Sequence, residues 1–155
     1  MKQVYYADTS VLVKRHIEEI GSTWFRNLVL SDSTDQIVST TLSIVEVFSA
    51  FNRRKRESTI SQTDYDDFAI NFRAILINEY LLIELSEPII TESQRLLESH
   101  PLRAGDAIQL ATAIDTRNML HNSLLPAPIF LASDNKLLDA AISEGFTTDN
   151  PLLHP

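Results

Sequence analysis

The chain alternates short apolar runs with longer segments in which apolar residues recur every three or four positions. The short runs are typical of buried β-strands, and the longer segments are typical of amphipathic helices. Strands are predicted at 4–7, 36–39, 81–85 and 129–133, and the pattern allows a fifth at 146–148. Helices are predicted at 11–20, 22–30, 41–56, 61–79, 87–99, 104–118 and 135–144.

Residues with strong local preferences mark several of these boundaries. Ser10 is a good N-cap for the first helix, and Thr40 or Thr41 can cap the third. Ser61 followed by Asp64 resembles a capping box. Pro88 suits a first helical turn, and Gly145 suits a helix end.

Short apolar strands that alternate with helices predict an α/β fold. We expect a single three-layer domain with a mostly parallel sheet of about four to five strands flanked by helices. The domain should span residues 1–149, with 150–155 as a C-terminal tail. Polar loops are predicted at 31–35 and 119–128. In such sheets, ligands bind outside the carboxyl ends of the strands.

Composition narrows the classes of function. The 155 residues are 44% hydrophobic and 22% charged, which is ordinary for a globular domain. The absence of cysteine excludes disulfides and thiolate metal sites. Neither a signal peptide nor a membrane-spanning run is evident, so a cytoplasmic protein is expected. The net charge of −8 argues against general nucleic-acid affinity, although bound cations would offset part of it.

Four carboxylates stand in stretches that are otherwise uncharged and largely apolar: Asp8, Glu46, Asp106 and Asp134. Buried acids are costly unless they are paired or bound to a metal. Asp8 and Asp134 follow predicted strands, where a parallel sheet places its ligands. The four acids therefore predict one cluster and one cation site.

Carboxylate oxygens are hard ligands that select Mg²⁺ or Mn²⁺. A pair of such ions can orient an attacking water and stabilise the leaving oxygen at phosphorus. The four histidines show no ligand spacing, so an all-acid pocket favours phosphodiester hydrolysis.

Each acid also has a simpler explanation. Asp8 and Asp134 could only cap helices, and Glu46 could be a partly solvated helix residue. Asp106 begins a helix, where any acid interacts favourably with the dipole. The small residues near Asp106, including Gly105, indicate a closely packed helix in which an acid needs a partner. Four such coincidences explain the pattern less well than one site.

Four segments together resemble the PIN domain, and most of all the VapC-type toxin ribonucleases of prokaryotic toxin–antitoxin pairs. They are Asp8-Thr9-Ser10 after the first strand, Glu46 in an early helix, the segment 102–113 and Leu131-Ala132-Ser133-Asp134. The resemblance covers the chain from Val4 to about Thr148, and 102–113 is its most specific part.

The resemblance implies a Mg²⁺- or Mn²⁺-dependent endoribonuclease. On it, the four acids would bind metal and activate water, and Ser10 would orient Asp8 or a water at the metal. It also implies a homodimer and a cognate antitoxin that blocks the active site. Two features depart from the family: a longer connection at 119–128, and an extra acid, Asp139, for which a solvated helix position is favoured.

Basic and aromatic residues suggest further contacts. The run Arg53–Arg56 could bind RNA phosphates, although a structural role at a helix end is favoured. Lys14, Arg15 and Lys136 could contact substrate phosphate, but each fits plain surface better. A patch for an antitoxin helix is a further hypothesis, formed by Phe48, Phe51, Phe68 and Phe72.

Three rival functions stay open. A PIN-like DNA nuclease would use the same metal chemistry. A phosphotransfer enzyme could use Asp8 as a nucleophile, but such enzymes usually have a second acid two residues later, where Ser10 stands. A non-catalytic interaction protein would not need the complete set of acids.

Overall fold

A computed structural model describes residues 2–31 and 34–155, without the side chain of Ser31. Part of the loop predicted at 31–35 therefore lies outside the described residues, namely Asp32 and Ser33. Met1 lies outside them too.

The strands form one parallel sheet in the order β3-β2-β1-β4-β5, which confirms the predicted α/β class. The allowed fifth strand is present, although it begins later than the pattern indicated, and β3 begins and ends earlier. The strands are β1 (Val4–Ala7), β2 (Gln36–Thr40), β3 (Tyr80–Ile83), β4 (Ile129–Leu131) and β5 (Thr148–Asp149).

The helices cover both faces of this sheet. Those in the first half of the chain are α1 (Thr9–Val13), α2 (Ser22–Ser31), α3 (Leu42–Arg56) and α4 (Gln62–Asn78). Those in the second half are α5 (Glu87–Ser99), α6 (Ala104–Asn122) and α7 (Asn135–Ser143).

Two hydrophobic cores lie on opposite faces of the sheet, because successive strand residues point to opposite sides. Tyr6 and Phe130 stack at a ring-centroid distance of 5.5 Å in the core beneath α5, α6 and α7. Ala7 and Leu131 belong to the other core, which contains residues of α1 to α4. The three-layer arrangement follows from this alternation.

The first helix differs from its prediction. Asp8, rather than Ser10, is its N-cap and accepts a hydrogen bond from the Ser10 N–H. The helix ends at Val13 and does not continue towards Gly21. The reason for the earlier start is local: the Asp8 carboxylate at the strand end caps the helix two residues before the Ser10 hydroxyl could.

Two other caps follow the sequence signals. Ser61 and Asp64 form the predicted capping box at the start of α4. At α3, Thr41 occupies the cap position without a side-chain bond, while the Thr40 hydroxyl accepts one from the Leu42 N–H at 3.3 Å.

The connection predicted at 119–128 is wrong in its first part. α6 continues to Asn122, so a shorter segment follows it. Met119 and Leu120 are good helix formers, and the prolines at 126 and 128 lie too far along the chain to end the helix earlier.

The last residues pack against the start of α2. Pro151–Leu153 forms a 3-10 helix, and Pro151 is buried. A Cβ on Gly21, whose φ is +87°, would lie 2.4 Å from the Pro151 carbonyl oxygen, so only glycine fits this approach. His154 stacks on Trp24 at a centroid distance of 4.4 Å. Among the described helices, none combines the length and apolarity needed to cross a bilayer.

Candidate functional site

The sheet brings two of the predicted site residues side by side. β1 and β4 are neighbours, with Ala7 paired to Leu131. The Asp8 N–H donates to the Leu131 carbonyl at 3.0 Å. Strand order reverses here, since β2 pairs on one side of β1 and β4 on the other. Parallel sheets open their ligand crevice at such a point.

All four acids line one cleft at this carboxyl edge, with a volume of about 570 Å³. Asp8 follows β1, Glu46 lies on α3, Asp106 lies in the first turn of α6, and Asp134 precedes α7. Ser10 lines the same cleft. Segments separated by up to 126 residues thus supply a single acidic surface.

Asp8 is the most enclosed of the acids, with 7% of its surface exposed. Its Oδ2 accepts hydrogen bonds from the Ser10 hydroxyl at 2.7 Å and from the Ser10 N–H at 3.1 Å. Burial raises the pKa of the Asp8 carboxyl to about 6, and the charges of Glu46 and Asp106 add to the rise, against the lowering by the Ser10 bonds. Asp8 therefore caps a helix and also carries an unfavourable buried charge near neutral pH.

Glu46 is held through one oxygen. Its Oε1 accepts hydrogen bonds from the Thr9 hydroxyl and from the Gln109 amide, each at 3.0 Å. A Cβ on Gly105 would lie 3.1 Å from the other oxygen, Oε2. The missing side chain at 105 thus lets α6 pass close to this carboxylate.

Asp106 and Asp134 both line the cleft and lie close enough for their charges to interact. Burial and the Asp134 charge raise the pKa of Asp106, while a backbone hydrogen bond from Arg103 and its charge lower it. Asp134 is exposed, and its Oδ1 accepts the Leu137 N–H at 2.9 Å as the cap of α7. One oxygen of Asp134 serves the helix, and the other is left for the cleft.

The donor set fits a hard divalent cation. Over residues 2–31 and 34–155, none of the four acids forms an ion pair with Lys, Arg or His. In the same ranges, no three Asp, Glu or His side chains are already arranged as a metal site. The ligands would therefore have to close around an ion. Oxygen-only donors and four acids that lack ion pairs within these ranges suit Mg²⁺ or Mn²⁺.

The basic run splits into separate roles. Arg54 pairs with Glu19 at 2.9 Å, and Lys55 lies over the Tyr65 ring at 4.3 Å, which agrees with the favoured structural role. Arg53 is exposed and lines the acidic cleft, as does Arg103.

The other predicted phosphate contacts are placed differently. Lys14 is only 3% exposed and pairs with Glu19 at 2.8 Å, so it is neither plain surface nor free for phosphate. Arg15 pairs with Glu79 at a distance of 2.7 Å, and this ion pair lies away from the four acids. Lys136 borders Asp134 in an adjoining depression.

The structure buries two of the four phenylalanines of the predicted antitoxin patch, so only Phe48 and Phe68 retain exposed surface for a partner helix. Phe51 and Phe72 are fully buried, and Phe48 and Phe68 are partly buried against them. His16 packs edge-on against this cluster, and burial, followed by the charges of Arg15 and Arg26, lowers its pKa to about 4. The cluster joins α3 to α4.

The sequence reading missed the neutral residues that surround Glu46, namely Thr9, Ser43 and Gln109. Gln109 is 1% exposed, and its amide nitrogen lies within hydrogen-bond distance of Thr9, Ser43 and Glu46. A signal was available: Gln109 is the one amide in the apolar stretch after Asp106, three residues further along the helix. Asp139, by contrast, is an exposed residue of α7, as favoured.

Comparisons with known proteins agree with this architecture. A toxin–antitoxin complex from Klebsiella pneumoniae superposes with a TM-score of 0.57 at 17% identity, over 95% of this chain and 97% of that chain. VapBC2 from Rickettsia felis, bound to a DNA fragment from its promoter, gives a TM-score of 0.60 at 11% identity, over 96% and 98%. At these identities the likeness shows a shared fold. No curated protein sequence gives a significant match.

The family is shown by sequence. A profile of the PIN domain matches residues 5–124, which include β1, the acidic segments of α3 and α6, and the helices between them. Asp134 lies beyond the matched range, although the fold brings it to the same cleft. With most of its length matched and the parallel sheet in place, the chain belongs to the PIN domain family.

Proposed function

We propose that this protein is a Mg²⁺- or Mn²⁺-dependent endoribonuclease of the VapC type, the toxin of a type II toxin–antitoxin pair. PIN domains are nucleases, and membership of the family supports phosphodiester hydrolysis. One observation carries the proposal: four carboxylates from distant segments line a single cleft, and no cationic side chain of the described residues pairs with them.

Asp8, Glu46, Asp106 and Asp134 would hold the metal ions. When bound, these ions would polarise the phosphoryl group and supply a hydroxide-like nucleophile near neutral pH. These four side chains line one cleft and would together activate the attacking water.

Ser10 would position Asp8. The Ser10 hydroxyl and N–H both donate to Asp8 Oδ2, which holds this carboxylate at the start of α1. Oδ1 of Asp8 takes no part in these two hydrogen bonds. The Ser133 N–H donates to the Ser10 oxygen at 3.2 Å and ties this turn to the end of β4. A fixed carboxylate loses little entropy when a ligand binds.

Arg53 and Arg103 would contact the RNA backbone. Both border the acids, and neither forms an ion pair among the described residues. Their positive charge would offset the acidic balance of the chain at the one place where phosphate must approach.

The assignment as a toxin is supported by the fold shared with a toxin–antitoxin complex and with VapBC2. By that analogy a cognate antitoxin covers the acidic cleft, and the protein forms a homodimer. Light scattering of the protein alone, and co-purification with the product of the adjoining gene, test these two points.

The decisive experiment compares RNA, single-stranded DNA and double-stranded DNA as substrates at one salt concentration. Each is incubated with Mg²⁺, with Mn²⁺ and with a chelator. Cleavage of RNA that requires a metal is expected. Faster cleavage of DNA than of RNA would favour a DNA nuclease. Phosphoryl transfer to Asp8 would favour a phosphotransfer enzyme.

A further inference from the structure

Gln109 is a buried amide in a helix whose other inward residues are mostly small or apolar. It is 1% exposed and lies between Ile108 and Leu110 on α6. A buried amide without hydrogen-bond partners destabilises the folded protein, so its presence in a core calls for hydrogen bonds. Both ends of the amide have them.

The direction of these bonds follows from the partners. The Tyr6 hydroxyl donates to Gln109 Oε1 at 2.8 Å. Gln109 Nε2 donates to the oxygens of Ser43 at 2.9 Å and of Glu46 at 3.0 Å, and it lies 3.0 Å from the Thr9 hydroxyl. A carboxylate accepts only, so the amide nitrogen must face Glu46.

The same network reaches the backbone next to Asp8. The Ser39 hydroxyl donates to the Ala7 carbonyl at 2.8 Å, which leaves the Ser43 hydroxyl to donate to Ser39 at 2.8 Å. Ser43 then has lone pairs only for the amide of Gln109. The donors therefore run in one direction, from Tyr6 through Gln109 to the ends of β1 and β2.

This arrangement fixes one oxygen of Glu46 and spares the other. Oε1 receives the Gln109 amide and the Thr9 hydroxyl, whereas Oε2 lies close to Gly105 and has no hydrogen-bond donor among the described residues. A glutamate side chain on a helix has three rotatable bonds, and two donors on one oxygen select a single orientation.

We propose that Gln109 is a positioning residue that sets the Glu46 carboxylate for divalent-cation binding. This rests on the proposed metal-dependent function, and it adds a residue outside the set of acids. Gln109 itself does not reach the cation. It acts through Glu46, as outer hydrogen-bond partners of metal ligands commonly do.

The test is the affinity for Mn²⁺ and Mg²⁺, measured by titration calorimetry on the full chain without substrate. Gln109→Met keeps the volume of the side chain and removes its donor. We expect affinity about 10–100-fold weaker than in the unmodified protein. Thr116→Val is the matched control, because Thr116 is 2% exposed on the same helix and its hydroxyl bonds only the Thr112 carbonyl, at 2.9 Å.

A kinetic measurement separates positioning from general destabilisation. For Gln109→Met, the metal concentration that gives half-maximal cleavage should rise by the same factor as the dissociation constant, with KM for RNA nearly unchanged. Thr116→Val should change neither quantity, even where it lowers the melting temperature of the metal-free protein.

Thr9→Val provides a second route if Gln109→Met does not fold. It removes the other donor to Glu46 Oε1, and a smaller loss of metal affinity is expected. Affinities within twofold of the unmodified protein in the folded variants would overturn the role of Gln109 while leaving the proposed function intact. An unmodified protein that binds neither metal would overturn both.

Discussion

The cleft is lined by two kinds of carboxylate: Glu19, which is paired with basic side chains, and the four acids at the carboxyl edge, which are not. Glu19 pairs with Lys14 at 2.8 Å and with Arg54 at 2.9 Å, and thus ties α3 to the segment after α1. Among the described residues, the four acids at the carboxyl edge form no ion pair: their hydrogen bonds come from neutral donors, and the nearby Arg103 charge does not prevent the rise in the pKa of Asp106. One group is neutralised within the chain, and the other retains its charge.

The difference separates acids that stabilise the fold from acids available to a ligand. A buried ion pair that is complete costs little, whereas its disruption is expensive. Acids without a counter-charge have the opposite effect. They destabilise the metal-free protein, and their charge becomes favourable when a cation binds. Exposure alone does not distinguish the paired acid from the others, because Glu19 is intermediate between the buried Asp8 and the exposed Asp134.

The largest expected effect belongs to Asp8→Asn. Asparagine still accepts the Ser10 hydrogen bonds and caps α1, but it loses the charge that holds a metal. We expect cleavage to fall by about 10³-fold, which corresponds to several kcal/mol of transition-state stabilisation. Cleavage assays with saturating Mn²⁺ measure this, and equal activity in the variant would remove Asp8 from the site.

The pH dependence of stability in chelator should show the cost of the Asp8 charge. The pKa of Asp8 is about 6 in the folded protein and 3.8 in the unfolded chain, so the contribution of Asp8 to the free energy of unfolding is fully present below pH 4. The contribution is lost as the pH rises through about 6, which amounts to about 3 kcal/mol.

Urea denaturation at pH 4, 5, 6 and 7 tests this, with Asp8→Asn as the reference, because other groups titrate in the same range. The free energy of unfolding of the variant relative to the unmodified protein should increase with pH. A difference that stays constant from pH 4 to 7 would contradict the assigned burial cost.

Replacing Glu19, the paired acid, should change the stability of the protein in the opposite direction to Asp8→Asn at neutral pH. Glu19→Gln leaves the Lys14 ammonium buried without a counter-charge, and we expect a loss of about 2–3 kcal/mol of stability. Thermal denaturation at pH 7 measures it. The matched control is Glu18→Gln, since Glu18 is an exposed residue that pairs with Arg26, where a change within about 0.5 kcal/mol is expected. Equal effects of the two variants would show that burial of Lys14 carries no cost.

The smallest effect is expected for Asp139→Asn. Asp139 is exposed on α7 and does not line the cleft. Its substitution should change metal affinity by less than about twofold and stability by less than about 0.5 kcal/mol. Asp134→Asn, which can still cap α7, should weaken metal binding measurably in the same titration. A larger loss for Asp139→Asn would extend the acid cluster along the helix.

Elements with strong local signals were predicted well. The apolar run at β1 and the Ser61–Asp64 capping box depend on neighbouring residues only, and the structure has them where the pattern indicated. β4 begins at Ile129 as predicted but ends at Leu131, two residues before the predicted end. The end of α6 was missed because helix-forming residues continue after Asn118, and no breaker follows until Pro126. The start of α1 was missed because an aspartate and a serine offered competing caps.

The acids of the site could be selected from sequence, but their surroundings could not. A charged residue in an apolar stretch is visible in the sequence because burial of charge is costly. The partners of Glu46 are neutral residues whose spacing along the chain says nothing about their contact, since Thr9 and Gln109 meet it only through the fold. Lys14 is similar, because its burial depends on a salt bridge with the segment before α2.

The sequence by itself determined the α/β class, the acid set and the family resemblance, because hydrophobic period and the cost of buried charge act locally. The tertiary structure alone decided which acids are neutralised, which oxygen of Glu46 is held and how Gln109 reaches it. These depend on directions and distances of a few ångströms between segments far apart in the chain, and hydrogen bonds fall off steeply with both.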